Sequence, residues 1–190
     1  MKRLLLFALM LYVVLGIDAQ YRNIKLPNTP KQTNYRNYLS EDTGFWCAFD
    51  LEGGSSVMVH HTNMQYVNLG WAGGYRINEF IRLGIGTGVR YYINNADVRY
   101  SDNKFGIPIF ANARGNFISA YDRDGVPFWS LNIGGITNDG FFASPTIGYS
   151  FGGLRNNFQI GISYTITSFR NYNKKDMAYS YFGVKVGYEF

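Results

Sequence analysis

The chain has 190 residues, of which 18% are aromatic (16 Tyr and 15 Phe), with 22 Gly, one Cys and a formal net charge of +5. That length holds one domain or one small barrel, and an excess of aromatics and glycine favours strands and tight turns over helices. Basic residues scattered at so modest a net charge argue against a nucleic-acid partner, and a mean hydropathy of -0.16 without an apolar run of about 18 residues past the N-terminus argues against a membrane-spanning helix.

Residues 1–19 read as a secretory signal peptide: Lys2 and Arg3 precede an apolar stretch from Leu4 to Leu15, with a cut expected after Ala19. Residues 20–44 are polar, carry Pro27 and Pro30 and show no sustained period, which marks a leader or linker without a core of its own. Cys47, the single cysteine, cannot make an internal disulfide and reads as a small apolar side chain on a strand face.

From Phe45 onward apolar and polar residues alternate with a period of two, the spacing at which strand side chains share a face. In 45–57, Phe45, Cys47, Phe49 and Leu51 oppose Trp46, Ala48, Asp50 and Glu52; in 65–76, Val67, Leu69, Trp71 and Tyr75 oppose Asn68, Gly70, Ala72 and Gly74. The third segment, 81–93, sets Ile81, Leu83, Ile85, Val89, Tyr91 and Ile93 against a face of glycine and arginine that includes Arg82 and Arg90. The fourth, 104–117, sets Ile107, Ile109, Ala111 and Ala113 against Phe110, Asn112 and Arg114, with a bulge or break expected at Pro108, which removes a ladder donor. Segments 126–136 and 141–151 follow, separated by the hairpin signal TNDG at 137–140; then 157–167 and a basic loop containing Arg170, Lys174 and Lys175. In the last segment, 179–190, Phe182, Val184, Val186, Tyr188 and Phe190 oppose Tyr181, Gly183, Lys185, Gly187 and Glu189.

Segments of this length exceed the usual soluble strand of about 5–6 residues and match the roughly 9–11 that a tilted strand needs to cross a bilayer. The expected fold is all-β: an eight-stranded antiparallel up-and-down transmembrane β-barrel over 45–190, its apolar face toward lipid and its charged, glycine-rich face inward. An even count puts both ends of the wall on one side. The turns near 77–79 and 152–156 are then periplasmic and the loops near 53–64, 94–103 and 168–178 external, with Tyr75, Phe80, Phe117, Trp129, Phe151, Phe158, Tyr188 and Phe190 in a periplasmic aromatic belt. Closure requires the last strand to run antiparallel to the first, because unpaired backbone groups in lipid are costly.

The leader, GYRINEFIRLGIGTGVRYY (74–92), FGIPIFANARGNF (105–117), GFFASPTIGYSFG (140–152) and the ending VGYEF (186–190) together resemble the small outer-membrane β-barrel proteins of the OmpA/OmpX-like class, within it the short barrels of Bacteroides-type bacteria. The resemblance implies the bacterial outer membrane as location, with its lipid and lipopolysaccharide as surroundings. It also implies that the terminal strand is read by the barrel-assembly machinery: Tyr188 and Phe190 match the aromatic positions of that signal, while Lys185 stands where a Gly is often found.

Parity places Asp50, Glu52, Arg82, Arg90, Arg114, Lys185 and Glu189 in the interior, where unpaired charges are costly, so a salt-bridge network that plugs the lumen is expected, with a gated pore as the sharper alternative. No cofactor or metal site is expected, since the histidines are a single pair, His60 and His61, with no cysteine cluster. These observations favour a non-enzymatic envelope protein, structural or presenting its loops for adhesion. Two other readings stay open at this level. Lipid A deacylases and palmitoyltransferases are also small outer-membrane barrels that use a His with a Ser near the outer rim, and by that analogy His60 or His61 would act with the hydroxyl of Ser55 or Ser56, oriented by Asp50 or Glu52. A secreted soluble barrel that binds an apolar ligand would instead need the apolar face of each strand inside.

Overall fold

Strand β1 (Gly44–Ser56) pairs antiparallel with β2 (Gln65–Asn78), which pairs with β3 (Ile81–Tyr92). The wall continues through a strand broken in two, β4 (Phe105–Gly106) and β5 (Pro108–Asn116), then β6 (Gly125–Ile136), β7 (Gly140–Phe151), β8 (Asn157–Arg170) and β9 (Asp176–Glu189). The computed structural model describes residues 43–56, 64–93, 103–120, 123–153, 155–170 and 176–190. The signal peptide read at 1–19, nearly all of the leader at 20–44, and His60, His61, Lys174 and Lys175 lie outside these residues.

Closure comes from β9 pairing antiparallel with β1, Phe49 facing Tyr188 and Glu52 facing Lys185, and is locked at its end by reciprocal backbone bonds: Phe190 N–H donates to the Cys47 carbonyl (2.8 Å) and Cys47 N–H to the Phe190 carbonyl (3.4 Å). Counting β4 and β5 as one stave, the described strands make a closed eight-stranded barrel with no free edge. Wall strands of 12–14 residues tilted at about 45° span roughly 28–33 Å, close to the ~30 Å hydrocarbon core of a bilayer.

Alternation along each strand is realised with apolar residues outward. Leu83, Ile85 and Val89 are exposed while Arg82 and Arg90, one residue away, are 2% and 1% exposed. A soluble barrel with an apolar ligand cavity needs the reverse arrangement, so that reading is withdrawn. The aromatic residues Tyr75, Phe80, Phe117, Phe151, Phe158, Tyr188 and Phe190 are all exposed at the end of the wall where β1 starts and β9 finishes, with Trp129 half-buried beside them. Edge-to-face contacts join this belt across strands, Phe45 with Tyr75 (5.8 Å) and Phe49 with Phe190 (6.1 Å).

Three details depart from simple alternation, each for a local reason. The fourth stave is interrupted at Ile107, just before Pro108: pairing of β3 with β4 and β5 lapses between Thr87–Ile109 and Arg90–Gly106, where Pro108 has no N–H to give, while on the β6 side Ile107 N–H donates to Thr137 Oγ1 (2.8 Å) and Thr137 N–H to the Ile107 carbonyl (3.1 Å). A second lapse occurs at Pro145, where the β7–β8 ladder skips from Ala143–Ile166 to Thr146–Ser163 and a Ser144–Thr165 hydroxyl contact (2.7 Å) spans the gap. β8 and β9 run on to Arg170 and Asp176, so Arg170 ends a strand, where the sequence suggests a loop over 168–178. Polar residues there end the hydropathy pattern, but backbone pairing continues beyond it. At the other end, Asn78 Oδ1 accepts from Phe80 N–H (2.9 Å) and Ile81 N–H (2.8 Å), shaping a two-residue turn.

Candidate functional site

The inward residues form three tiers. In the first, register aligns Arg76 on β2, Arg82 on β3 and Arg114 on β5 in a single row, an arrangement that like-charge repulsion alone would forbid. Glu189 on β9 resolves it from across the lumen: Oε1 accepts from Arg76 Nη2 (2.8 Å) and from Arg82 Nη1, and Oε2 lies 3.6 Å from Arg114 Nη1 and accepts from Gln159 Nε2 (3.3 Å). Arg82 also donates to Asn116 Oδ1 (3.0 Å).

The second tier centres on Asp50, whose Oδ2 accepts from Arg114 Nη2 (2.9 Å) and Lys185 Nζ (3.2 Å). Arg114 Nε donates to Asn112 Oδ1 (2.8 Å), and its guanidinium stacks 4.6 Å over the Trp46 ring. Lys185 is steadied by Ser130 Oγ at 3.2 Å.

In the third tier Glu52 Oε1 is surrounded by hydroxyls: Tyr66 (2.7 Å), Ser163 (2.8 Å), Thr165 (3.0 Å) and Ser144 (3.4 Å). Arg90 lies over the rings of Tyr66 (4.2 Å) and Phe142 (5.3 Å). Above it, toward the long loops, Met64, Tyr66, Tyr92, Tyr179 and Tyr181 pack as a buried cluster, and Tyr92 donates to Asp139 Oδ2 (2.7 Å). The glycines of β3 let it lie close against the β2 backbone and make room for rings: a Cβ at Gly88 would collide with the Leu69 carbonyl oxygen and one at Gly84 would come 2.5 Å from that of Gly73. A Cβ at Gly86 would come 2.5 Å from the Phe110 ring, and one at Gly84 2.9 Å from Trp46.

The structure thus places Asp50, Glu52, Arg82, Arg90, Arg114, Lys185 and Glu189 inside, ties Arg82, Arg114 and Lys185 to Glu189 and Asp50 in one set of contacts, and brings Glu52 and Arg90 together on Tyr66 in another. It adds Arg76, Glu79 and Asp139, so that the buried charged side chains among the described residues are five cations (Arg76, Arg82, Arg90, Arg114 and Lys185) and five anions (Asp50, Glu52, Glu79, Asp139 and Glu189). A balanced count is what a low-dielectric lumen demands, since one uncompensated ion there is far costlier than a pair. Arg76 shares the parity of Asn68 and Gly74, so its inward direction was readable; Glu79 and Asp139 sit in turns, where no period points anywhere. Asp139 Oδ2 accepts from Tyr92 Oη (2.7 Å) and Glu79 Oε2 from Ala120 N–H (2.8 Å), contacts that only the folded barrel creates.

The residues of the catalytic alternative do not converge among themselves. Ser55 is on the outward face, whereas Ser56 has inward parity and its Oγ accepts from Met64 N–H (2.9 Å). Asp50 is engaged by Arg114 and Lys185, and Glu52 by the four hydroxyls of the third tier. No group of three His, Cys, Asp or Glu side chains that could hold a metal occurs among the described residues.

A closed sheet with a continuous apolar exterior and ten acidic and basic side chains buried inside is stable only where the surroundings are as apolar as the wall, and the molecule is therefore a transmembrane β-barrel. No protein-family model and no curated protein sequence matches the chain. Among solved structures it is similar to Neisserial surface protein A, with 14% identity and a TM-score of 0.53 over 76% of this chain and 95% of that one. It is also similar to the N-terminal β-barrel domain of Pseudomonas aeruginosa OprF, with 13% identity and a TM-score of 0.42 over 78% of this chain and 99% of that one. The first likeness agrees with the fold built above from register and parity.

Proposed function

We propose that the chain is a non-conducting barrel of the bacterial outer membrane that serves the envelope as a structural element and presents its long loops at the cell surface for contact with other molecules. The observation that carries this reading is the balanced set of five buried cations and five buried anions, tied from wall to wall and capped by the tyrosine cluster, which fills the path a solute would take. An eight-stranded barrel has an interior just wide enough for side chains, so such filling leaves the wall and the loops as working surfaces. The likeness in fold to a protein described as a neisserial surface protein agrees with display at the surface. Lipid and lipopolysaccharide surround the wall in this reading, and the assembly machinery reads Tyr188 and Phe190, both exposed on the last strand.

The test is electrical. Full-length mature chain reconstituted in planar bilayers is expected to leave the membrane silent, with no stepwise conductance under applied voltage. Reproducible open-channel steps from protein shown to be folded would overturn the reading in favour of a gated pore. For the surface role, exchanging the loops at 57–63 and 94–102 for short turns is expected to leave folding intact and abolish cell-surface contact phenotypes; unchanged phenotypes would remove the loops from the function.

A further inference from the structure

The lipid-facing wall is interrupted by a dent of about 510 Å³ toward the end that carries the long loops, bordered by Val67, Ile162, Phe182 and Val184 with Gly53 as its floor. Register explains it. Gly53 is the outward residue of its row on β1, between Val67 on β2 and Val184 on β9, so the one missing side chain leaves a slot between two valine ridges. A Cβ at Gly53 would meet nothing within 4 Å, so the backbone there does not need a glycine; the slot is open space. Two residues further toward the loops, Ser55 stands between Gln65 and Phe182, and both polar side chains border the same dent. An apolar slot thus runs up to a hydroxyl and an amide, flanked in their own row by exposed Phe182 and Ile93.

We propose that this dent is a binding site for one acyl chain of a bilayer lipid, its methylenes along Gly53 between Val67 and Val184 and its ester or amide linkage against Ser55 and Gln65. The inference rests on the bilayer placement of the wall, whose girdle is continuous with the dent. A single chain is the occupant that fits, because a second barrel would bridge the two ridges and leave the floor uncovered. None of the described residues lining the dent is charged, so the polar contact matches a neutral carbonyl or amide, with the Gln65 amide as donor, and not a phosphate. The volume lies within the range of about 300–1,000 Å³ typical of small-molecule sites.

The experiment uses the full mature chain, methyl-labelled at Ile, Leu and Val, in nanodiscs of phosphatidylcholine containing a fraction of lipid with a doxyl spin label midway along one acyl chain. Ile166, exposed on β8 four residues from its loop end, borders neither this dent nor the second one on the wall, which Trp71, Ile85 and Ile109 line, and is the reference. Relaxation enhancement at the Val67 and Val184 methyls is expected to exceed that at Ile166 at least twofold. Gly53→Leu should fill the slot and bring the ratio to one without altering Ile166, and the pair Ser55→Val and Gln65→Val should halve the excess with the barrel still folded. Equal enhancement at Val67, Val184 and Ile166 in the unaltered protein would overturn the proposal while leaving the membrane barrel in place. Absence of enhancement at all three would overturn the bilayer reading itself. The comparison in the unaltered protein decides the matter even where a variant fails to fold.

Discussion

Replacing Glu189 with alanine tests the logic of the lumen most directly. Its carboxylate is the shared acceptor of Arg76 (2.8 Å) and Arg82, with Arg114 at 3.6 Å, three guanidiniums that register holds in one row. Removing it converts five buried cations against five anions into five against four. Arg114 keeps Asp50 at 2.9 Å and Arg82 keeps Asn116 at 3.0 Å, but the row loses the charge that balances it. Breaking a buried pair from one side costs about 3–5 kcal/mol, and that is the expected loss. Glu189→Gln, which keeps an acceptor without the charge, should lose less. The double variant Arg82→Leu with Glu189→Leu restores a balance of four and four and should recover most of the stability, far from additively. The assay is reversible denaturant unfolding of refolded barrel in vesicles, followed by tryptophan fluorescence and extrapolated linearly. A loss below about 1 kcal/mol for Glu189→Ala would refute the reasoning, because it would mean that the row of arginines is solvated and the lumen is wet.

Leu83→Arg, on the exposed apolar face of β3, should cost about 2–4 kcal/mol in the same assay if it lies near the midplane, and a neutral result would count against a lipid-facing position. Deleting Tyr188 to Phe190 removes the Phe49–Tyr188 and Ala48–Glu189 pairings and both backbone bonds between Cys47 and Phe190, so heat-modifiable migration on gels should vanish in vitro; a truncated chain that still folds would show that closure does not depend on this end. Gly86→Leu forces a Cβ against both the Phe110 ring (2.5 Å) and the Trp71 carbonyl oxygen (2.6 Å) and should destabilise by about 1–3 kcal/mol, with a favourable coupling to Phe110→Ala in a double-mutant cycle that recovers only the ring's share; zero coupling would place the obstruction wholly at the backbone.

Period-two alternation is a local property, and it told a great deal. From Phe45 to Phe190 it gave the number of staves, which residues face lipid and which face inward, because neighbouring side chains on a strand must point to opposite sides wherever the strand ends up. Pro108 announced its own break, since the missing N–H is a fact about one residue. What alternation could not supply is which inward residues meet. Glu189 finds Arg82 107 positions away and Arg76 113 positions away, and Glu52 finds Ser163 and Thr165 across similar separations. Those meetings depend on strand register and on closure between β1 and β9, quantities set by the whole sheet. The same holds for Glu79 and Asp139, turn residues swung inward by the geometry of the barrel mouth, and for the dent at Gly53, which exists only because Val67 and Val184 arrive on either side of it. Direction was written into each strand separately; contact was decided only when eight staves were brought to one register around a common axis, because parity repeats every two residues whereas a shift of two leaves parity intact and changes every partner.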